Sequence, residues 1–344
     1  MKFPVRNFSA ILLCLFSLGI TACDREAYSP EKAAYAKGMD PVMEEMTAFR
    51  NETRQFYNNH NFDKLEARAN EIRAGKARFA NGSWKIDHFY SSLACQPQEP
   101  ENMWQLHEQI HQEWEKKFPQ SITARVASAG FLVSYAWHAR GTGYANEVTD
   151  EGWRLFRERL ASARTTLDQS ASLTPKCPVM WQVQMDIALG QSWSKEDFAK
   201  LFEEAKAFEP QYFPYDLSQA KFLMPRWYGD EGDWEAAAEK EIERPGGLGL
   251  EGYARVISDQ RGYYDDIFRE TKASWRKVQQ GFELMLTKYP DSAEILNTYC
   301  RIACIAEDRP LAKKLFDRIG NKVIIYCWGE RKRFTQMKRW ANDD

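Results

Sequence analysis

His107-Glu108-Gln109-Ile110-His111 is the one stretch of this 344-residue chain whose residue types and spacing spell a defined chemistry. In an H-E-x-x-H pattern on a helix, two imidazoles stand one turn apart and can share a zinc ion, while the glutamate polarises a bound water. That reading makes His107 and His111 metal ligands and Glu108 the catalytic group of a zinc-dependent hydrolase. Catalytic zinc takes three protein ligands and keeps a fourth position open. The extended pattern asks for glycine at 114 and histidine at 117, where the chain has Trp114 and Lys117. Trp104, His107, His111, Trp114 and Phe118 also recur at helical spacing beside polar Gln105, Gln109, Gln112, Glu113 and Glu115. An aromatic packing stripe that includes two histidines accounts for this pattern, so the hydrolase stands as the alternative.

Two arginine-bearing motifs are binding candidates. Ala139-Arg140-Gly141-Thr142-Gly143-Tyr144 contains G-x-G. It has neither the preceding strand nor the third glycine of a nucleotide loop. A helix-terminating turn with glycine at positive φ is the better account, with Arg140 left to present a guanidinium to an anion. In Arg226-Trp227-Tyr228 the three side chains either contact a ligand or form a packed corner with the arginine stacked on the tryptophan. The packed corner is the expectation. No serine, cysteine or aspartate lies in a nucleophile motif, and no cofactor motif is present.

The N-terminus supplies an address. Lys2 and Arg6 precede an apolar run, Ile11 to Leu18, that is too short for a membrane span. Leu18-Gly19-Ile20-Thr21-Ala22-Cys23 resembles the lipobox of a bacterial lipoprotein signal. That resemblance implies removal of residues 1 to 22 and lipidation of Cys23, whose several acyl chains make a stable anchor. Asp24 resembles the inner-membrane retention signal of such lipoproteins, which puts the body in the periplasm. Losing Lys2 and Arg6 takes the net charge from −2 to −4, which gives no sign of a nucleic-acid partner.

Holding these groups in place requires a folded body. The hydrophobic fraction of 44% and charged fraction of 28% are those of a globular protein. The twelve tryptophans suit packing between helices. Past Cys23 five cysteines follow, Cys95, Cys177, Cys300, Cys304 and Cys327, an odd number. Cys300 and Cys304, one helical turn apart, read as small core residues. Helical periodicity runs almost throughout, and Asp40-Pro41 marks a helix start after a tether spanning 23 to 40. Proline joints at Phe118-Pro119, Pro175 to Pro178, Glu209-Pro210, Pro245 to Gly249 and Tyr289-Pro290 separate helix pairs. In Leu296-x2-Tyr299-Cys300-x2-Ala303 followed by Ala312-x3-Phe316, large and small residues alternate as in the tetratricopeptide repeat, which they resemble. A weaker copy is Trp181, Met185 and Ala188, then Phe198, Phe202, Ala205 and Pro210. The expected fold is all-α: a right-handed, tetratricopeptide-like solenoid of antiparallel helix pairs. It divides into an N-terminal helical region (41–99), a central domain (100–258) and a C-terminal repeat with a basic capping helix (259–344).

The centre, about 84 to 258, carries Tyr135-Ala136-Trp137-x-Ala139-Arg140-Gly141-x-Gly143-Tyr144-Ala145, Glu209-Pro210-x-Tyr212, Pro225-Arg226-Trp227-Tyr228-Gly229 and Glu251-Gly252-Tyr253-Ala254-Arg255. These motifs resemble those of a bacterial domain-of-unknown-function family of exported and membrane-linked proteins. The resemblance implies a helical domain without assigned chemistry. Near the end, the basic and aromatic stretch Arg331-Lys332-Arg333-Phe334 and Lys338-Arg339-Trp340 either lies on anionic lipid or forms a solvated capping helix, and the capping helix is the expectation. The functional expectation is a lipid-anchored helical-repeat scaffold for a protein partner in the cell envelope, held to the membrane through Cys23.

Overall fold

The computed structural model describes residues 40–343, so Cys23, Asp24 and the signal segment lie outside the described residues. Asp40 caps the first helix, its carboxylate accepting from Val42 N at 2.9 Å and Met43 N at 3.4 Å, with Pro41 in the first turn. Helices α1 (Pro41–Asn58), α2 (Phe62–Ala74) and α3 (Lys85–Ser91) form the N-terminal segment. Beyond them α4 (Glu101–Lys117) packs on α5 (Ile122–Arg140), and α5 on α6 (Asp150–Gln169). The pairs α7 (Pro178–Gly190) with α8 (Lys195–Phe208), and α9 (Pro214–Phe222) with α10 (Asp233–Lys240), follow. Next, α11 (Leu250–Gln260) meets α13 (Trp275–Lys288) across the one-turn α12 (Ile267–Glu270). Last come α14 (Ala293–Ile305) with α15 (Arg309–Ile319), and α16 (Arg331–Asn342). The fold is all-α: among the described residues there is no strand, only an isolated bridge between Arg78 and Trp84.

The predicted proline joints fall between helices or at a helix start, and side-chain hydroxyl or carboxylate caps open several helices of the array. Ser121, Ser194, Ser292 and Asp308 each accept from a backbone N–H three residues on. Successive helices pack on their neighbours along the chain, an arrangement compatible with a helical repeat. In the α14–α15 pair, Tyr299, Cys300, Ala303, Ala312 and Phe316 are all buried, and Cys300 Sγ lies 3.7 Å from the Ala312 carbonyl oxygen. Phe316 continues the stack onto Trp328 at 5.3 Å and Phe334 at 5.6 Å. In the weaker copy, Phe198 of α8 stacks on Phe222 of α9 at 3.8 Å. All five described cysteines are buried thiols.

The N-terminal segment runs along the array from its first pair to its last. Glu66 accepts from the Trp114 indole at 2.8 Å and from Ser121 at 2.5 Å, and Arg73 reaches Thr123 at 2.6 Å. Farther along, Tyr212 donates to Asp87 at 3.2 Å, and Arg255 donates to the Asn81 carbonyl at 3.1 Å. Asn81 in turn donates to Glu294 at 2.8 Å, and the Tyr326 hydroxyl meets the Met43 sulfur at 3.1 Å. A segment whose longest helix has 18 residues, about 27 Å, touches both ends of the array. Contacts of the N-terminal segment therefore reach both the early and the late helices of the chain.

Candidate functional site

Helix α4 turns one stripe inward, burying Trp104, His107, Ile110, His111 and Trp114. The two imidazoles end up among rings. His107 lies 5.3 Å from Tyr57 and 6.2 Å from Phe131, while His111 lies 5.3 Å from Tyr57 and 5.0 Å from Phe131. His107 Nδ1 is 3.1 Å from the Tyr57 hydroxyl. Burial, helped by the Arg54 guanidinium, pushes His107 down to about 4. Burial and the neighbouring His107 push His111 to about 3, and neither of its ring nitrogens has a hydrogen-bond partner among the described residues. Both rings are neutral at pH 7. No third ligand approaches: among the described residues, no three His, Cys, Asp or Glu side chains gather where an ion could bind. Half-buried Glu108 stands outside the ring cluster's hydrogen bonds. This donor set does not fit catalytic zinc, which needs three protein ligands. Purified protein is expected to hold zinc no more tightly than the His107→Ala variant, by metal analysis after dialysis. Stoichiometric zinc lost in the variant would restore the hydrolase.

The arginine motifs form a different arrangement. Helix α5 ends at Gly141, whose φ is +75°, as a helix-terminating glycine requires. Arg140 folds back across this end. Its guanidinium sits 5.6 Å from the ring centre of Trp137 and 5.5 Å from that of Trp153. The same group donates to the carbonyls of Gly141 at 3.2 Å and Gly143 at 2.9 Å, pinning the loop. The next residue, Tyr144, is 77% exposed, with its backbone N–H fixed by the Glu147 carboxylate at 2.8 Å. Trp227 arrives from the turn after α9 and meets Trp137 edge-on at 5.9 Å. Tyr228 donates its hydroxyl hydrogen to the Leu189 carbonyl at 2.8 Å and lies 2.8 Å from Ser192 Oγ.

Three of the four binding candidates, Arg140, Trp227 and Tyr228, thus share one edge, at the ends of α5, α7 and α9. The expected stacking of Arg226 on Trp227 does not occur. Arg226 is exposed, with its guanidinium 5.4 Å from the Tyr263 ring centre. The arginine that does stack on tryptophan is Arg140. Sequence reasoning quoted Tyr144 only as part of the Arg140 motif and missed Trp153, thirteen residues on, whose approach to Arg140 is set by the packing of α5 on α6.

It also missed a buried hub where the N-terminal segment meets the later helices. Glu251 accepts from Arg255 at 2.9 Å, Lys288 at 3.0 Å and Tyr289 at 3.1 Å. Burial alone would raise its pKa, but Arg255 and Lys288 hold it below the ordinary range. Asn81, Arg255, Arg261 and Glu294 border a cavity of about 80 Å³ beside this hub. Because Asn81 and its carbonyl are held by Glu294 and Arg255, the hub locks the N-terminal segment into the array. No protein family, no curated protein and no solved structure matches this chain.

Proposed function

We propose that this protein is a lipid-anchored, periplasmic helical-repeat adaptor that binds a protein partner in the cell envelope, without a cofactor and without chemistry of its own. The anchor is Cys23, and Asp24 favours the inner membrane. The motifs around Arg140, Trp227 and Arg255, which resemble those of an exported helical family, support this reading.

One observation carries the reading: the arginine–tryptophan edge around Arg140 presents Tyr144 at 77% exposure on a loop that is held from both sides. Tyrosine, tryptophan and arginine carry much of the binding energy at protein interfaces, and an ordered loop loses little entropy on binding. Helices α1 to α3 and their loops engage the later helices through Asn81 and Met43, whereas the edge keeps Tyr144 accessible.

Site-specific crosslinking in membranes tests this. A photoreactive residue introduced at 144 is expected to capture one defined protein, and Arg140→Ala is expected to reduce its recovery about tenfold while lowering the thermal midpoint by no more than about 4 °C, as for the loss of a few loop contacts. The same probe at Leu284, an exposed apolar residue on α13, is the comparison. Equal capture from both positions, or full recovery in Arg140→Ala, would overturn the edge as the binding site.

A further inference from the structure

We propose that the outer faces of α15 and α16 dock on anionic phospholipid, so that the protein lies with this end of the array against the bilayer. The reading rests on the lipid anchor at Cys23 for its orientation. Its cations and their exposure stand independently of it.

Helix α16 buries Phe334 and Ala341 and half-buries Met337, which leaves Lys332, Lys338, Arg339 and Trp340 on its solvent side. On α15, Ala312, Leu315, Phe316 and Ile319 face inward while Lys313, Lys314 and Arg318 are exposed around Asp317. Lys322 adds another exposed cation in the connecting turn. Among the described residues, none of these seven lysines and arginines has a carboxylate within ion-pair distance, whereas other exposed basic side chains such as Arg154 and Lys195 are paired. A cluster of four to eight cations beside a membrane attachment is the pattern that anionic headgroups attract. Trp340, 37% exposed among those cations, has the amphipathic ring that settles at headgroup level.

The place where the tether joins the body makes the membrane the occupant. Asp40, fully buried, caps α1 while the backbone N–H groups of Ala293 and Glu294 at the start of α14 face its carboxylate. Three residues later, Met43 touches Tyr326, five residues before α16 begins. The chain therefore enters the body at the same end of the array as the basic helices. The seventeen peptide links from Cys23 to Asp40 span at most about 60 Å. Within that reach α15 and α16 meet the surface without any unfolding of the body.

Non-acylated Cys23→Ser protein with a cleavable soluble-secretion signal, mixed with vesicles of 30% phosphatidylglycerol in phosphatidylethanolamine, provides the test. Binding is expected, and Lys332→Gln, Lys338→Gln and Arg339→Gln together should weaken it about a hundredfold, at roughly fivefold per cation. Arg154→Gln, Arg157→Gln and Arg164→Gln, on α6, should leave binding unchanged. A thermal midpoint equal to that of the parent confirms that the α16 variant is folded. Equal binding to phosphatidylcholine vesicles, no binding to the anionic ones, or equal loss in the α6 variant would overturn the docking surface. Failure of the anchor reads separately: wild-type Cys23 that takes up no labelled fatty acid in cells would remove the orientation argument and leave the vesicle result to decide the surface.

Discussion

Lowering the pH from 7 to 5 is expected to remove about 4 kcal/mol of folding stability through His107 and His111 alone. Both have folded-state pKa values below the ordinary 6.5, at about 4 and about 3. Between 6.5 and those values the unfolded chain binds protons that the folded one refuses. Stability is therefore complete above pH 6.5 and is lost as the pH falls. At pH 5 each ring lies about 1.5 units inside this window, and at about 1.4 kcal/mol per unit each costs roughly 2 kcal/mol. His88, wholly buried and facing Arg50, is also held well below the ordinary value and adds loss in the same direction. Against a typical total of about 5 to 15 kcal/mol the effect is large. Most carboxylates titrate below pH 5, but Asp216, raised by burial to about 6, gains stability over the same interval, so the histidine loss is read from the difference between parent and variant. Urea midpoints at the two pH values measure it. His111→Phe keeps a ring between Phe131 and Trp114 without a proton site, and should recover about half the loss. A variant with the parent's pH dependence would mean that His111 is not buried as neutral imidazole.

The histidine stripe was legible because a helix writes its buried face into the sequence at a fixed spacing: Trp104, His107, His111 and Trp114 all turn inward. Helix limits were legible for the same local reasons, a cap at Asp40, Ser121 or Ser292 and a proline at each joint. The repeat pairs at Phe198 and Cys300 followed from size alternation within one unit. What pattern reading could not supply is contact between distant segments. Met43 and Tyr326 are 283 residues apart, and Arg255 reaches the Asn81 carbonyl across 174. Neither partner has a local feature that names the other. Arg140 and Arg226 show the same limit, since Arg226 adjoins Trp227 and Arg140 lies three residues from Trp137, yet only Arg140 stacks on tryptophan. Which ring a long side chain chooses is decided by tertiary packing.

Gly281→Val is expected to cost at least 3 kcal/mol, the larger part of the stability of a marginal fold. Glycine in the middle of a helix is itself unfavourable by about 1 kcal/mol relative to alanine, so its presence in α13 calls for a compensating contact. That contact is the crossing with α11. A Cβ added at 281 would stand 2.2 Å from the Leu250 carbonyl oxygen and 2.6 Å from the Ala254 Cβ. Both obstacles are backbone or the first side-chain atom, so no rotamer change relieves them. The helices must separate instead. Separation loosens α11, which bears Glu251 and Arg255, from α13, which bears Lys288, and so disturbs the hub that holds Asn81. Two signs distinguish this account from simple helix propensity. In an isolated α13 peptide Gly281→Ala should raise helicity, whereas in the protein it should lower the urea midpoint by an amount worth about 1 to 3 kcal/mol. Limited proteolysis should also cut the Gly82 turn of the valine variant sooner than that of the parent, because the turn is held by groups on α11 and α14. A neutral or stabilising alanine at 281 would show that the two helices tolerate a wider crossing, and that the lock on the N-terminal segment does not depend on their approach.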